Sequence, residues 1–191
     1  ADDNLIRFGA DLEGNATIKQ ADKQNIILDG CGKKFNGVIT VNGDGRSKGA
    51  ETLTFTGINF ETTYSDTNDE NKWNFITAPS KIDGKYNYSH NVTIENCTFK
   101  NTVTDNYMVG SAAFTGTYNL VMRKCRATNM HSMIQVQSCD NTAVVDDVTT
   151  ENCKNGVSFG NTANATLKNS EIVSTAYGVR GDGNASRGNL S

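Results

Sequence analysis

Two adjacent carboxylates, Asp146 and Asp147, stand in the segment TAVVDDV. Arg123 and Lys124 precede them by 23 positions, and Lys168 follows Asp146 by 22. A carboxylate beside a guanidinium or an ammonium has the residue types for proton transfer, one group moving the proton and the other holding developing charge. Asp146 with Arg123 and Lys168 is therefore the candidate catalytic set. Consecutive residues of a strand face opposite ways unless a turn intervenes, so Asp147 need not join them. His90 and His131 fall in turns without a partner pattern for nucleophilic or metal chemistry.

A second kind of chemistry lies in three long connections, ETTYSDTNDENKW from Glu61, KIDGKYNYSH from Lys81 and KNTVTDNYMV from Lys100. They gather Tyr64, Trp73, Tyr86, Tyr88 and Tyr107 with Asp66, Lys72, Asp83 and Lys85. An aromatic face covers the C–H groups of a sugar ring while amides and carboxylates meet its hydroxyls. Tyr64, Trp73, Tyr86, Tyr88, Tyr107, Asp66 and Lys72 form the candidate glycan-binding set. The alternative is that the same rings only close over a core.

The elements that position these residues repeat along the chain. NIILDGC from Asn25, TLTFTGI from Thr52, NVTIENC from Asn91, NLVMRKC from Asn119, TAVVDDV from Thr142 and NATLKNS from Asn164 share one template. Their starts are 27, 39, 28, 23 and 22 positions apart, the range in which a chain completes one turn of a solenoid. Within each stretch the apolar period is two, as in Val92 and Ile94 or Leu120 and Met122, which predicts strands. A second strand signal follows in each turn, among them GSAAFTG, MIQVQSC, GVSFGN and GVRGDG.

Stacked turns pair equivalent strands in parallel. One predicted column runs Glu95, Arg123, Asp146, Lys168 and alternates in charge, which suits neighbouring strands in this register. Cys31, Cys97 and Cys125 share another position, with Ile58, Val148 and Ser170 in the other turns, and predict an inward column. Five cysteines without metal-ligand spacing read as buried free thiols. Asn91 and Asn164 head their strands at one template position, so their N-x-Thr sequons read as turn and strand chemistry rather than glycosylation signals.

Composition fits this architecture: 18 Gly and one Pro among 191 residues suit short strands and tight turns. A net charge of −3 gives no general attraction for nucleic acid, and no apolar run approaches the roughly 20 residues of a membrane span. The expected division is an N-terminal cap and first strand over 1–24, then a coil over 25–191. Asn189, Leu190 and Ser191 resemble the start of a further rung. Further rungs or a homo-oligomer would then cover the C-terminal end.

With NVTIENCTFKN at Asn91 to Asn101 as its most typical phrase, the chain resembles the right-handed parallel β-helix, or pectin-lyase-like, superfamily over roughly residues 15 to 191. The resemblance implies an all-β, right-handed parallel β-helix of about seven rungs. It also implies a place outside the cell, on a cell surface or on a virion, and a polysaccharide or cell-surface glycan as partner. The expected function is a noncatalytic attachment module, an adhesin segment or a piece of a phage fibre or tail-spike whose insertion loops meet a glycan, and the alternative is a polysaccharide lyase or glycoside hydrolase acting on an outward strand face. Calcium would accompany only a lyase; the attachment module needs no cofactor. NGVSFGN and YGVRGDG loosely resemble the polygalacturonase order, but Val157 stands where that motif supplies His, and Gly181 follows Arg180.

Overall fold

The computed structural model describes residues 2–20, 24–43, 51–65, 73–104 and 107–181. They form an all-β parallel solenoid of about six turns, close to the seven rungs expected. Each turn contributes to three faces. Asp2–Arg7, Gln24–Asp29, Thr52–Thr56 and Ser89–Glu95 pair in succession on the first, which continues through 117–123 and 142–146. Leu12–Glu13, Lys34–Asn36, Asn59–Thr62 and Thr98–Asn101 begin the second, followed by 126–128, 149–151 and 171–172. Ala16–Lys19, Ile39–Asn42, Trp73–Ala78 and Val109–Phe114 begin the third, which 134–136 extends.

Residues 1–24 were expected to hold a cap and one strand. The described part supplies one strand to each face: Ile6, Leu12 and Ile18 are the register partners of Leu28, Phe35 and Val41. Gln24 therefore opens the second described turn. The possible further rung at Asn189 to Ser191 lies outside the described residues.

Period-two alternation places Leu53, Phe55, Val92, Ile94, Leu120, Met122, Ala143 and Val145 inside the coil, all at most 1% exposed. On the second face Phe35, Phe60 and Phe99 occupy successive turns; the Phe60 and Phe99 rings stack with centroids 4.9 Å apart and planes 1° from parallel. Such a pair contributes about 0.5–1.5 kcal/mol beyond its buried area.

The coil bends from the first face to the second at one left-handed residue in successive turns: Gly57, Asn96, Lys124, Asp147 and Asn169, with φ between 51° and 61°. The next residue faces inward and, where it carries an S–H or O–H, turns it back on the carbonyl two positions earlier. Cys97 donates to Glu95 O at 3.2 Å, Cys125 to Arg123 O at 3.2 Å and Ser170 to Lys168 O at 2.7 Å. Cys153, after left-handed Asn152 at the second corner, does the same to Glu151 O at 3.5 Å. The cysteines are corner residues that stay apolar inward and still satisfy a bent backbone.

Cys31 departs from the expected column. Leu28 pairs with Phe55 and Phe35 with Phe60, so seven steps oppose five and two residues are extruded at this corner. Cys31 is exposed with φ 50°, whereas Cys97, Cys125, Cys139 and Cys153 are buried and free. Ile58 fills the interior next to Gly30, where a Cβ would come within 2.7 Å of its side chain and 2.5 Å of Gly57 O.

Asparagine ladders tie the turns at their edges. Asn119 donates to Asn91 Oδ1 at 2.7 Å and Asn141 to Asn119 Oδ1 at 2.8 Å; at the second corner Asn152 donates to Asn129 Oδ1 at 2.8 Å. A longer tie is made by Gln20, fully buried, whose Oε1 accepts from the His90 N–H at 2.9 Å, 70 residues away.

Two predictions follow from the corners. A thiol reagent labels Cys31 in the native protein and the other four cysteines only on unfolding, because burial holds their S–H groups away from reagent and pushes the Cys139 thiol up to about 11. Lys124→Gly relieves a left-handed backbone and raises stability by about 0.5–1 kcal/mol, while Gly30→Ala crowds the Gly57 carbonyl and lowers it by about 1–3 kcal/mol, both read by denaturant midpoint.

Candidate functional site

The candidate catalytic residues come together on the outside of the first face. Glu95, Arg123 and Asp146 are register partners on successive turns. Arg123 Nε donates to Glu95 Oε2 at 2.7 Å, and Lys168 Nζ lies 3.4 Å from Asp146 Oδ2. Asn169 Nδ2 donates to Asp146 Oδ1 at 2.9 Å. That hydrogen bond first, then the Lys168 and Arg123 charges, hold the Asp146 carboxyl below its ordinary range. A turn does intervene after it: Asp147 is the left-handed corner residue with φ 53°. Asp146 is thus an ionised acceptor engaged on both oxygens, in an exposed ladder of opposite charges. Among the described residues no three His, Cys, Asp or Glu are grouped so as to hold a metal ion.

The aromatic candidates occupy two different corners. Tyr64 and Tyr107 lie in the connections from the second face to the third and Trp73 opens the third-face strand Trp73–Ala78, whereas Tyr86 and Tyr88 lie between the third face and the next turn's first. Tyr64 and Trp73 pack against the core; the Trp73 ring meets Tyr64 edge to face at 5.9 Å and Phe75 at 5.3 Å. Tyr107 donates to Asn152 Oδ1 at 3.2 Å. The Tyr88 hydroxyl donates to Thr117 O at 2.9 Å, and burial followed by the nearby Asp140 raises its pKa. Tyr86, 76% exposed, sits on the antiparallel hairpin Lys81–Ile82 and Lys85–Tyr86 with Lys81 Nζ 5.1 Å from its ring centroid. Asp66 and Lys72 lie outside the described residues.

A groove on the third face brings together residues of NGVSFGN and YGVRGDG, which were compared with a catalytic motif in the sequence but not placed beside one another. The groove, of about 390 Å³, is lined by Gln135, Gln137, Ser158, Asn161, Tyr177 and Arg180, with Val136 and Gly160 between them. Ser158 and Arg180 are register partners, and the Arg180 guanidinium carbon is 5.4 Å from the Tyr177 ring centroid. Gly160 lets its turn approach the Gln137 backbone closely: a Cβ there would meet the Gln137 carbonyl oxygen at 2.3 Å. The signal in the sequence was the run of polar positions alternating with Ile134, Val136, Val157 and Phe159, which are inward and buried. Amide, hydroxyl and guanidinium groups beside one aromatic ring can exchange several hydrogen bonds with a polyhydroxylated ligand.

Comparison with protein-family models, curated proteins and solved structures gives no match.

The lowered Asp146 pKa makes a signed prediction. Its stabilising contribution is present above the carboxylate's unfolded-state pKa and is lost as pH falls through the folded-state value. Asp146→Asn should therefore unfold at lower denaturant than the parent at neutral pH, and the difference should shrink as pH falls through the folded-state value.

Proposed function

We propose that the chain is a noncatalytic attachment module that binds a polysaccharide or cell-surface glycan, working outside the cell or on a virion. The groove on the third face carries the proposal. It sets the Gln135, Gln137 and Asn161 amides, the Ser158 hydroxyl and the Arg180 guanidinium around the Tyr177 ring. The contacts on Asp146 favour binding over chemistry: a general acid or base needs a proton that can move, and this carboxylate is held in its charged form by Asn169 and Lys168. The resemblance to pectin-lyase-like proteins fits a glycan ligand. In the same proposal further turns or a second copy cover Val173 and Val179, which are 54% and 39% exposed.

The test is a panel of neutral and anionic polysaccharides, followed both for retention and for release of reducing or unsaturated ends. Retention without product is expected, weakened about three- to tenfold by Tyr177→Ala, the equivalent of about 1 kcal/mol for an aromatic face. Loss on Tyr86→Ala alone would move the site to the hairpin. Product that disappears in Asp146→Ala would replace attachment with the lyase or hydrolase alternative.

A further inference from the structure

Behind the groove, His131 stands between two amides. Gln135 Nε2 lies 3.4 Å from its Nδ1, and Asn155 Nδ2 lies 3.4 Å from its Nε2. The ring is anchored through its backbone: the His131 N–H donates to Val109 O at 2.6 Å, and its carbonyl accepts from the Asn155 N–H at 2.8 Å. Asn155 is buried, while Gln135 is half-buried and lines the groove. Of these two amides, Asn155 therefore faces inward and Gln135 faces the ligand surface.

A neutral imidazole has one N–H donor and one bare nitrogen acceptor, so it accepts from one amide and donates to the carbonyl oxygen of the other. With Nδ1 bare, Gln135 gives its NH2 to the ring and turns its oxygen to the groove, and Asn155 turns its oxygen to Nε2–H. An imidazolium has two donors and no acceptor. Both amides must then give their oxygens to the ring, and Gln135 turns its NH2 outward.

We infer that His131 is a positioning residue that sets the hydrogen-bonding face Gln135 presents to the groove, and that protonation of its ring reverses that face from acceptor to donor. The inference rests on the groove being the ligand surface. On acidification, a donor NH2 joins Arg180 along the groove, favouring ligands rich in carboxylate or other acceptor oxygens. Among the described residues, the titratable groups nearest in sequence to the backbone partners of His131 are Tyr107 before Val109 and Glu151, Cys153 and Lys154 before Asn155; Tyr177 and Arg180 lie across the groove. Asp105 lies outside the described residues.

The test is a pH titration of the 15N-labelled, ligand-free protein, following the His131 ring nitrogens and the side-chain amides of Gln135, Asn155 and Gln137. The Gln135 and Asn155 amide signals are expected to shift with the midpoint of the His131 ring. Gln137, in the same groove but without a contact to the ring, serves as the internal reference. A His131→Phe protein should lose both shifts. Flat Gln135 and Asn155 signals, or shifts that survive in His131→Phe, would overturn the inference. Glycan retention, measured separately, keeps the two ideas apart: retention with flat amides removes only the switch, and coupled amides in a protein that retains no glycan remove the attachment function and with it the consequence for ligands.

Discussion

Everything in this molecule depends on each turn closing at the same place as the turn below it. Parallel strands about 4.8 Å apart stack side chains of equal position directly over one another. An inward column therefore tolerates little but apolar groups, and an outward column is a line of near neighbours. The corner fixes that alignment. One left-handed residue followed by an inward residue bends the chain in turn after turn, and the S–H or O–H bond to the carbonyl two positions back satisfies the backbone where the strand stops. Asparagine amides then fasten one turn to the next at the edges.

This geometry gives the outer surface its character. Because a column is a line of neighbours, Glu95, Arg123, Asp146 and Lys168 are arranged as alternating charges that satisfy one another. The same rule builds a different surface on the third face, where successive turns contribute amides, a hydroxyl and a guanidinium beside Tyr177. One scaffold thus carries a charge-neutralised ladder on one side and an open polar groove on another. What distinguishes them is composition: opposite charges that pair along one column, and amides, a hydroxyl and a guanidinium beside an aromatic ring on the other.

The repeat and the alternation inside it were legible because burial leaves a period-two imprint: Val92 and Ile94 or Leu120 and Met122 announce their strands without help from tertiary structure. The charge column was legible for the same reason. Cys31 was misplaced because aligning turns by residue type conceals a two-residue extrusion, and only the pairing of Leu28 with Phe55 and Phe35 with Phe60 exposes it. The aromatic connections looked like one cluster because sequence order does not say which corner a loop leaves from; Trp73 and Tyr64 also pack on the core rather than face outward. The groove stayed hidden because glutamine, serine and asparagine on an outward strand carry no motif, and their meaning comes from lying beside Tyr177 and Arg180.

The place of Tyr177 and Arg180 along the solenoid has a mechanical consequence. In a one-dimensional stack cooperativity passes only between adjacent turns, so a strand is held by its immediate neighbours alone. Both residues belong to Glu171–Gly181, the final described strand, whose partner strand, Ile134–Lys168, also supplies the rest of the groove. Val173 and Val179 on that strand keep much of their surface in water, so apolar burial holds it less firmly than it holds the strands carrying Leu120 and Val145. Fraying of this single strand would split the groove lengthwise while leaving the remaining turns paired. A ligand spanning the groove would act as a staple across that seam, binding and local order rising together.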